Sequence, residues 1–200
     1  FTATDDNTQV VLDTKKPTLS GISLVSTNVN NSQAFAKPGD NITLSFDSSE
    51  PIQIPSITLA DNNSLTVHDT SSNQDGTSWE VVYKVTTGEA ERETTFSIDF
   101  KDIAGNEGVS KDQTVIDNTI QIDTKTPTLT MVNLSSSNTD DTFAKKDDLV
   151  TLSFISSENL QKAIVSFAGQ RKTLLGESKN WNTTYSVQSG DDYRLGSPSE

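Results

Sequence analysis

The chain has 200 residues, no cysteine, one histidine and a formal net charge of −13, and 32% of its residues are hydrophobic. The negative charge makes nucleic acids and anionic lipid surfaces unfavourable partners, and the lack of cysteine excludes disulfide scaffolds, iron–sulfur clusters and thiol chemistry. No apolar run reaches the length of a membrane span. We therefore expect neither nucleic-acid binding nor membrane insertion.

Alternation of apolar and polar residues predicts β-strands along the chain. Ile42, Leu44 and Phe46 are each separated by one polar residue, and the same period of two recurs at 79–85 and 96–100, as in strands with one buried face. Clusters of Gly, Pro, Asn, Asp and Ser separate these runs. We predict seven strands, A to G, near residues 18–26, 41–47, 54–60, 64–69, 78–87, 93–101 and 110–117. This pattern is typical of an all-β, immunoglobulin-like antiparallel β-sandwich.

Much of the sequence occurs twice in the same order. Residues 12–19 return as 122–129, residues 35–46 return as 143–154, and the Trp-x-x-x-Tyr at Trp79 returns at Trp181. Such collinear matches predict a tandem repeat with a period of about 110 residues. We place the first repeat at residues 13–122 and the second at 123–200.

Two parts of the chain depart from this repeat. Residues 6–8 match residues 117–119, so we expect residues 1–12 to be the tail of a preceding repeat. No counterpart of strands F and G is evident within 123–200, so we expect the second repeat to be C-terminally incomplete. Either those strands follow in a longer protein, or a neighbouring chain supplies them by β-augmentation.

Four short motifs recur in a fixed order within this pattern. They are Asp-Thr-Lys-x-Pro-Thr at 13–18 and 123–128, Ser-Glu after strand B, Trp-x-x-x-Tyr in strand E, and Asp-Ile-Ala-Gly-Asn at 102–106. Together they resemble the bacterial immunoglobulin-like repeats of large secreted and surface adhesins. The resemblance implies an extracellular or cell-surface location, contacts with neighbouring repeats of the same chain, and a host or matrix receptor that other parts of the parent protein would bind.

Acidic and amide side chains form a candidate calcium site. In an immunoglobulin-like sandwich the N-terminal segment, the B–C loop and the F–G loop lie at one pole, and these segments carry Asp13, Glu50, Asp102 and Asn106. Oxygen ligands from converging segments suit Ca²⁺, which takes about 6–8 of them. In the resembled adhesins, calcium between repeats stiffens the rod. The alternative is that Asp13 and Asp102 cap turns through their own backbone.

The second repeat keeps only part of this ligand set. Asp123 and Glu158 correspond to Asp13 and Glu50, but the F–G turn has no counterpart. We therefore include Asp123 and Glu158 as candidate metal ligands of an incomplete site.

Catalysis and sugar stacking have weaker support in the sequence. His68 is the only histidine and has no counterpart in the second repeat, and no serine lies in a nucleophile-elbow context. We therefore expect no enzyme. Trp79 and Trp181 could stack on sugars, but each is in phase with inward-facing residues of its strand, which favours a place in the core.

These observations predict a non-catalytic structural module of an extracellular adhesin or surface stalk. Such a module would space a binding tip away from a cell surface, with calcium stiffening the joints. The alternative is a glycan- or protein-binding accessory module of a secreted protein, with the variable segment 61–78 as its binding loop.

Overall fold

The computed structural model describes residues 10–29, 34–112, 119–167 and 169–191. All regular structure in these residues is β-structure, which confirms the all-β prediction. No helix within these ranges is long and apolar enough to cross a membrane. The chain divides into two compact units, Phe1–Lys125 (unit 1) and Thr126–Glu200 (unit 2).

The described residues of unit 1 form nine strands and those of unit 2 form three. In chain order they are β1 (Leu19–Ser26), β2 (Phe35–Ala36), β3 (Asn41–Ser48), β4 (Ser56–Leu59), β5 (Val67–Asp69), β6 (Ser78–Lys84), β7 (Arg92–Glu93), β8 (Phe96–Asp99), β9 (Gln121–Ile122), β10 (Leu129–Ser136), β11 (Leu149–Phe167) and β12 (Gln170–Ser186). The predicted strands A to F coincide with or contain β1, β3, β4, β5, β6 and β8. Predicted strand G lies largely on residues 113–118, outside the described ranges.

Unit 1 has three small sheets around one core. Their orders are β1-β3-β6-β5, β4-β8 and β2-β9-β7. Ile42, Leu44 and Val81 are fully buried because they occupy inward positions of β3 and β6, which alternate with outward ones along each strand. Apolar side chains from all three sheets join the same buried cluster, which is consistent with a β-sandwich. Because the chain contains no cysteine, no disulfide links these sheets.

The short sheet β2-β9-β7 contains strands that the periodicity did not predict. β9 pairs in parallel with β2 and antiparallel with β7. Ile120 and Ile122 are 1% and 0% exposed, so the segment just before the second Asp-Thr-Lys motif belongs to the core of unit 1.

The described residues of unit 2 form one antiparallel sheet in the order β10-β11-β12. Its buried cluster is small and consists of Phe154, Ala163 and Trp181, with the rings of Phe154 and Trp181 stacked at 6.4 Å between centroids. An apolar groove of about 380 Å³ runs beside Phe154 and Leu160. Leu134 is 46% exposed whereas Leu24, at the matching position of unit 1, is 3% exposed. The described part of unit 2 therefore covers one face of its sheet poorly.

The two units pair their matching strands in the same register. Phe46 lies opposite Trp79 across β3 and β6, and Phe154 lies opposite Trp181 across β11 and β12. The pairs Leu24 with Leu44 and Leu134 with Leu152 correspond in the same way. Residues that match between the two repeats in sequence thus occupy corresponding positions in the paired strands of the two units.

Hydrogen bonds inside the units also correspond. The indole Nε1 of Trp79 donates to Gly76 O at 3.1 Å, and that of Trp181 donates to Ser178 O at 2.8 Å. The hydroxyl of Ser156 donates to the Glu158 carbonyl oxygen at 2.6 Å, as that of Ser48 does to the Glu50 carbonyl oxygen at 2.7 Å. Buried donors are thus satisfied by the same backbone geometry in both units.

Candidate metal centre

Three carboxylates from distant parts of unit 1 converge. One oxygen from each of Asp13, Glu50 and Asp102 lies within 4.8 Å of the other two. Asp13 precedes β1, Glu50 follows β3, and Asp102 follows β8. Asp102 is only 1% exposed, and the other two are partly buried. The structure therefore brings together the three segments that the sequence analysis assigned to one pole.

Asp102 is oriented by the turn that follows it. The backbone N–H of Asn106 donates to Oδ1 and the Asn106 side-chain Nδ2 donates to Oδ2, both at 2.8 Å. The turn closes through Gly105, whose φ of +97° lies in the left-handed region that glycine adopts without strain. Asp-Ile-Ala-Gly-Asn is thus a compact turn in which Asn106 holds the Asp102 carboxylate and Gly105 adopts the positive φ of the turn.

These hydrogen bonds keep Asp102 ionised. Burial raises the pKa of Asp102, but the side chain of Asn106 and the backbone N–H groups of Asn106, Gly105 and Ala104 outweigh burial. The pKa of Asp102 therefore lies below its ordinary value, because donors favour the charged form. The site holds a buried anion at neutral pH.

Asn106 supports the carboxylates as a donor. Its Nδ2 also reaches the carbonyl oxygen of Asp13, at 3.2 Å, and so ties the N-terminal segment to the turn. The sequence analysis named Asn106 as a ligand. In the structure its amide nitrogen donates to the Asp102 carboxylate and to the Asp13 carbonyl oxygen, so Asn106 positions these two residues.

Glu50 has a buried carboxylate oxygen that could contact a cation. Its Oε1 atom is buried and accepts no hydrogen bond within the described residues. The nearest cation is Lys15, whose Nζ lies 4.0 Å from Oε1 while its side chain is 75% exposed. A buried carboxylate oxygen without a donor is unfavourable unless a positive charge compensates it.

The donor set matches a hard divalent cation. Three carboxylates supply only oxygen, which suits Ca²⁺ and excludes a soft-metal site. Backbone carbonyl groups and water would complete about 6–8 ligands. Lys15 offsets part of the negative charge of the three carboxylates, and it would compete with a metal ion for Glu50.

Turn capping, the alternative interpretation, also occurs in the structure. Asp13 Oδ1 accepts the backbone N–H of Lys15 at 3.0 Å, and Asp102 accepts that of Asn106. A carboxylate has about four lone-pair sites, so capping on one side leaves room for a cation on the other. The two interpretations are therefore compatible at these residues.

Asp123 and Glu158 are not part of such a group. Asp123 lies in unit 1, where its carboxylate accepts Lys125 N at 3.2 Å. Glu158 lies in β11 of unit 2. The only group of three acidic or histidine side chains within the described residues is the one at Asp13, Glu50 and Asp102.

The histidine and the two tryptophans named in the sequence analysis lie on an exposed strand and in the two cores, respectively. His68 is an exposed residue of β5 opposite Glu80. Trp79 and Trp181 are 4% and 7% exposed, as a place in the core requires, and are not accessible platforms for sugars.

Two supporting residues were missed by the sequence analysis. Gln53 Nε2 donates to the Asp102 carbonyl oxygen at 2.9 Å, which fixes the turn against the segment after β3. Lys15 supplies the nearest positive charge to Glu50. Lys15 could have been found from the sequence, because it is the lysine of the repeated Asp-Thr-Lys motif and follows Asp13 by two residues. No sequence motif around Gln53 indicates its contact with Asp102.

Comparison of the chain with protein-family models, with curated proteins and with solved structures found no match. The function of the chain is therefore argued from its own residues. The carboxylate cluster of unit 1 is the strongest basis for that argument.

Proposed function

We propose that the chain is a non-catalytic structural module of tandem immunoglobulin-like repeats in an extracellular adhesin or surface stalk, and that unit 1 binds calcium at Asp13, Glu50 and Asp102. The matching registers of the two units support the repeat. The observation that carries the metal site is the buried Glu50 Oε1, which accepts no hydrogen bond from the described residues.

A cation at this site would act as a cross-link. The three carboxylates come from residues 13, 50 and 102, so they are far apart in the unfolded chain and close together only in the folded unit. Without a cation, their mutual repulsion opposes that arrangement. Calcium would join the segment preceding β1 to two turns of the sandwich and so stiffen the N-terminal attachment of unit 1.

The residues of the chain supply orientation and charge at this site. Asn106 holds the Asp102 carboxylate and the Asp13 backbone in place. Glu50 presents its buried Oε1, and Lys15 partly neutralises the cluster until a divalent cation replaces it. Calcium would supply only a fixed positive charge that bridges the oxygens.

The test is calcium titration of the full chain, followed by calorimetry and by thermal unfolding. Calcium at about 100 times its Kd should stabilise unit 1 by about 2.7 kcal/mol, because it binds only the folded state. Glu50→Gln should lose most of the binding. Glu80→Gln removes the same charge from the same unit outside the cluster and should bind normally. Unfolding temperatures that are the same with calcium and with chelator would contradict the metal site.

A further inference from the structure

The last residues of unit 1 are held by the loop that precedes β7. Residues 121–125, here called the exit segment, contain β9 and end unit 1. The hydroxyl of Thr124 donates to the carbonyl oxygen of Glu89 at 2.7 Å. Residues 86–91, here called the latch loop, therefore hold the exit segment beyond the pairing of β9 with β2 and β7.

A second contact between the two segments is an exposed ion pair. Lys125 Nζ lies 2.6 Å from a carboxylate oxygen of Glu91, and their side chains are 74% and 31% exposed. Exposed ion pairs stabilise a fold only weakly. β9 itself has only two residues, so few backbone hydrogen bonds hold it. The bond from Thr124 to Glu89 is therefore the contact of the latch loop on which the exit segment most depends.

The carboxylate of Glu89 fixes the shape of the latch loop. One of its oxygens accepts the backbone N–H and the hydroxyl of Thr86, and the other accepts the hydroxyl of Tyr83. Gly88, with a φ of +86°, lets the chain turn back on itself. The side chain thus closes the loop while the backbone carbonyl of the same residue faces Thr124.

The same loop closure occurs in unit 2. Asp191 accepts the hydroxyl of Tyr185 and the backbone N–H of Gln188. Gly190, just before it, has a φ of +100°. These residues have the same spacing as their counterparts around Glu89. A carboxylate that closes this loop is therefore common to both units.

The surroundings of Glu89 favour its ionised form. Burial raises the pKa of Glu89, but hydrogen bonds from Tyr83 and Thr86 and the charge of Arg92 lower it below its ordinary value. Tyr83 belongs to β6 and Arg92 to β7, and Arg92 also pairs with the exposed Asp61 at 3.2 Å. Glu89 is therefore charged at neutral pH and becomes neutral only in acid.

We propose that the latch loop is an acid-sensitive latch, in which ionised Glu89 holds the loop against Thr124 and protonation of Glu89 releases the exit segment. Protonation removes the charge that the Thr86 donors and Arg92 face, and hydrogen bonds to a charged group are the stronger ones. The end of unit 1 is then rigid at neutral pH and mobile in acid. This inference goes beyond the proposed function and does not depend on the calcium site.

Nuclear magnetic resonance of the full chain in chelator tests the latch. The carboxyl carbon of Glu89 reports its charge, and backbone order parameters of Gln121 and Asp123 report the exit segment. As pH falls from neutral to about 3, these order parameters should drop from about 0.85 to below about 0.6, with the midpoint of Glu89. Leu44 in β3 should stay ordered. An exit segment that stays ordered after Glu89 is protonated would overturn the proposal.

Glu89→Gln tests the latch at neutral pH, where acid does not unfold the chain. The order parameters of Gln121 and Asp123 should already be low, with that of Leu44 unchanged. A role in overall stability alone would leave all of them unchanged while the unit stays folded, because it alters global and not local opening. The matched control is Glu93→Gln, since Glu93 is exposed in β7. Low order in both variants, or in neither, would overturn the proposal.

Thr124 tests the contact itself. Thr124→Val removes the hydroxyl that donates to Glu89 and should loosen the exit segment at neutral pH without shifting the titration of Glu89. Thr124→Ser keeps a hydroxyl and should restore the order. An exit segment as ordered in Thr124→Val as in the natural chain would overturn the proposal. Because chelator is present throughout, failure here is distinguishable from failure of the calcium site.

Discussion

Asn106 and Asp13 lie 93 positions apart in the chain and are joined by a hydrogen bond of 3.2 Å from Nδ2 of Asn106 to the carbonyl oxygen of Asp13. The same nitrogen donates to Asp102. One neutral side chain therefore fixes both the backbone of one acidic residue and the carboxylate of another. Asn106 thus orients the Asp102 carboxylate and holds the backbone of Asp13 beside it with no bound ion.

Replacement of Asn106 should destabilise unit 1 even without calcium. Asn106→Ala removes the side-chain donor to the buried Asp102 carboxylate, and loss of such a partner destabilises by about 1–3 kcal/mol. Urea unfolding in chelator at neutral pH measures this change. The control is Asn63→Ala, since Asn63 is exposed and its side chain only accepts a hydrogen bond from neighbouring Ser64. Equal stability of the two variants would contradict the positioning role of Asn106.

Removal of Lys15 should tighten calcium binding. Lys15 Nζ lies 4.0 Å from Glu50 Oε1 and competes for the same charge. Lys15→Ala should therefore raise calcium affinity several-fold, while the folded state in chelator changes by only about 0–1 kcal/mol, as is usual for exposed ion pairs. Lys16→Ala, which removes a neighbouring exposed charge, is the matched control in the same calorimetric titration. Weaker binding by Lys15→Ala would show that Lys15 supports the site instead of competing.

Glu89 should make unit 1 sensitive to acid. Burial raises the pKa of Glu89, but hydrogen bonds from Tyr83 and Thr86 and the charge of Arg92 lower the pKa further, below its ordinary value. The resulting stabilisation is complete above the unfolded-state pKa of about 4.3 and is lost as pH falls through the lower folded-state pKa.

Glu89→Gln tests this pH dependence. At pH 7 the variant should be less stable by about 1–3 kcal/mol, and the difference from the natural chain should shrink as pH falls towards about 3. The matched change in unit 2 is Asp191→Asn, since Asp191 accepts the Tyr185 hydroxyl at an exposed position. Its effect should be smaller. A difference for Glu89→Gln that is constant with pH would contradict the charge-based explanation.

Ile122 and Leu12 offer a matched comparison of equivalent positions. Ile122 is fully buried in β9 whereas Leu12 is 83% exposed. Ile122→Ala should destabilise unit 1 by about 2–5 kcal/mol, and Leu12→Ala should change stability by less than about 0.5 kcal/mol at low protein concentration. Urea unfolding monitored by tryptophan fluorescence measures both. A large loss for Leu12→Ala in the monomer would contradict the exposure of that segment.

The longer strands of unit 1 could be predicted because their signal is local, whereas the full lengths of β11 and β12 in unit 2, 19 and 17 residues, were not predicted. In β3, apolar residues alternate with polar ones over the whole strand, and in β6 the buried Trp79 and Val81 are separated by Glu80; burial on one face requires this pattern. The strand order expected for an immunoglobulin-like sandwich likewise predicted that Asp13, Glu50 and Asp102 lie at one pole. The sequence by itself thus determined the β-class of the chain, the main strands of unit 1 and the three carboxylates that converge, although it also named Asp123 and Glu158, which do not join them.

Only the tertiary structure decided how the short segments are used. β2 and β9 have two residues each, too few for a periodic pattern, and their pairing joins residues 86 positions apart in the chain. Asn106 and Gln53 likewise acquire their roles from contacts with Asp13 and Asp102. Ile122 and Leu12 precede the same motif, yet one is buried and the other is exposed. The physical reason is that burial and hydrogen-bond satisfaction depend on what the rest of the fold places beside a residue, which its neighbours in sequence do not specify.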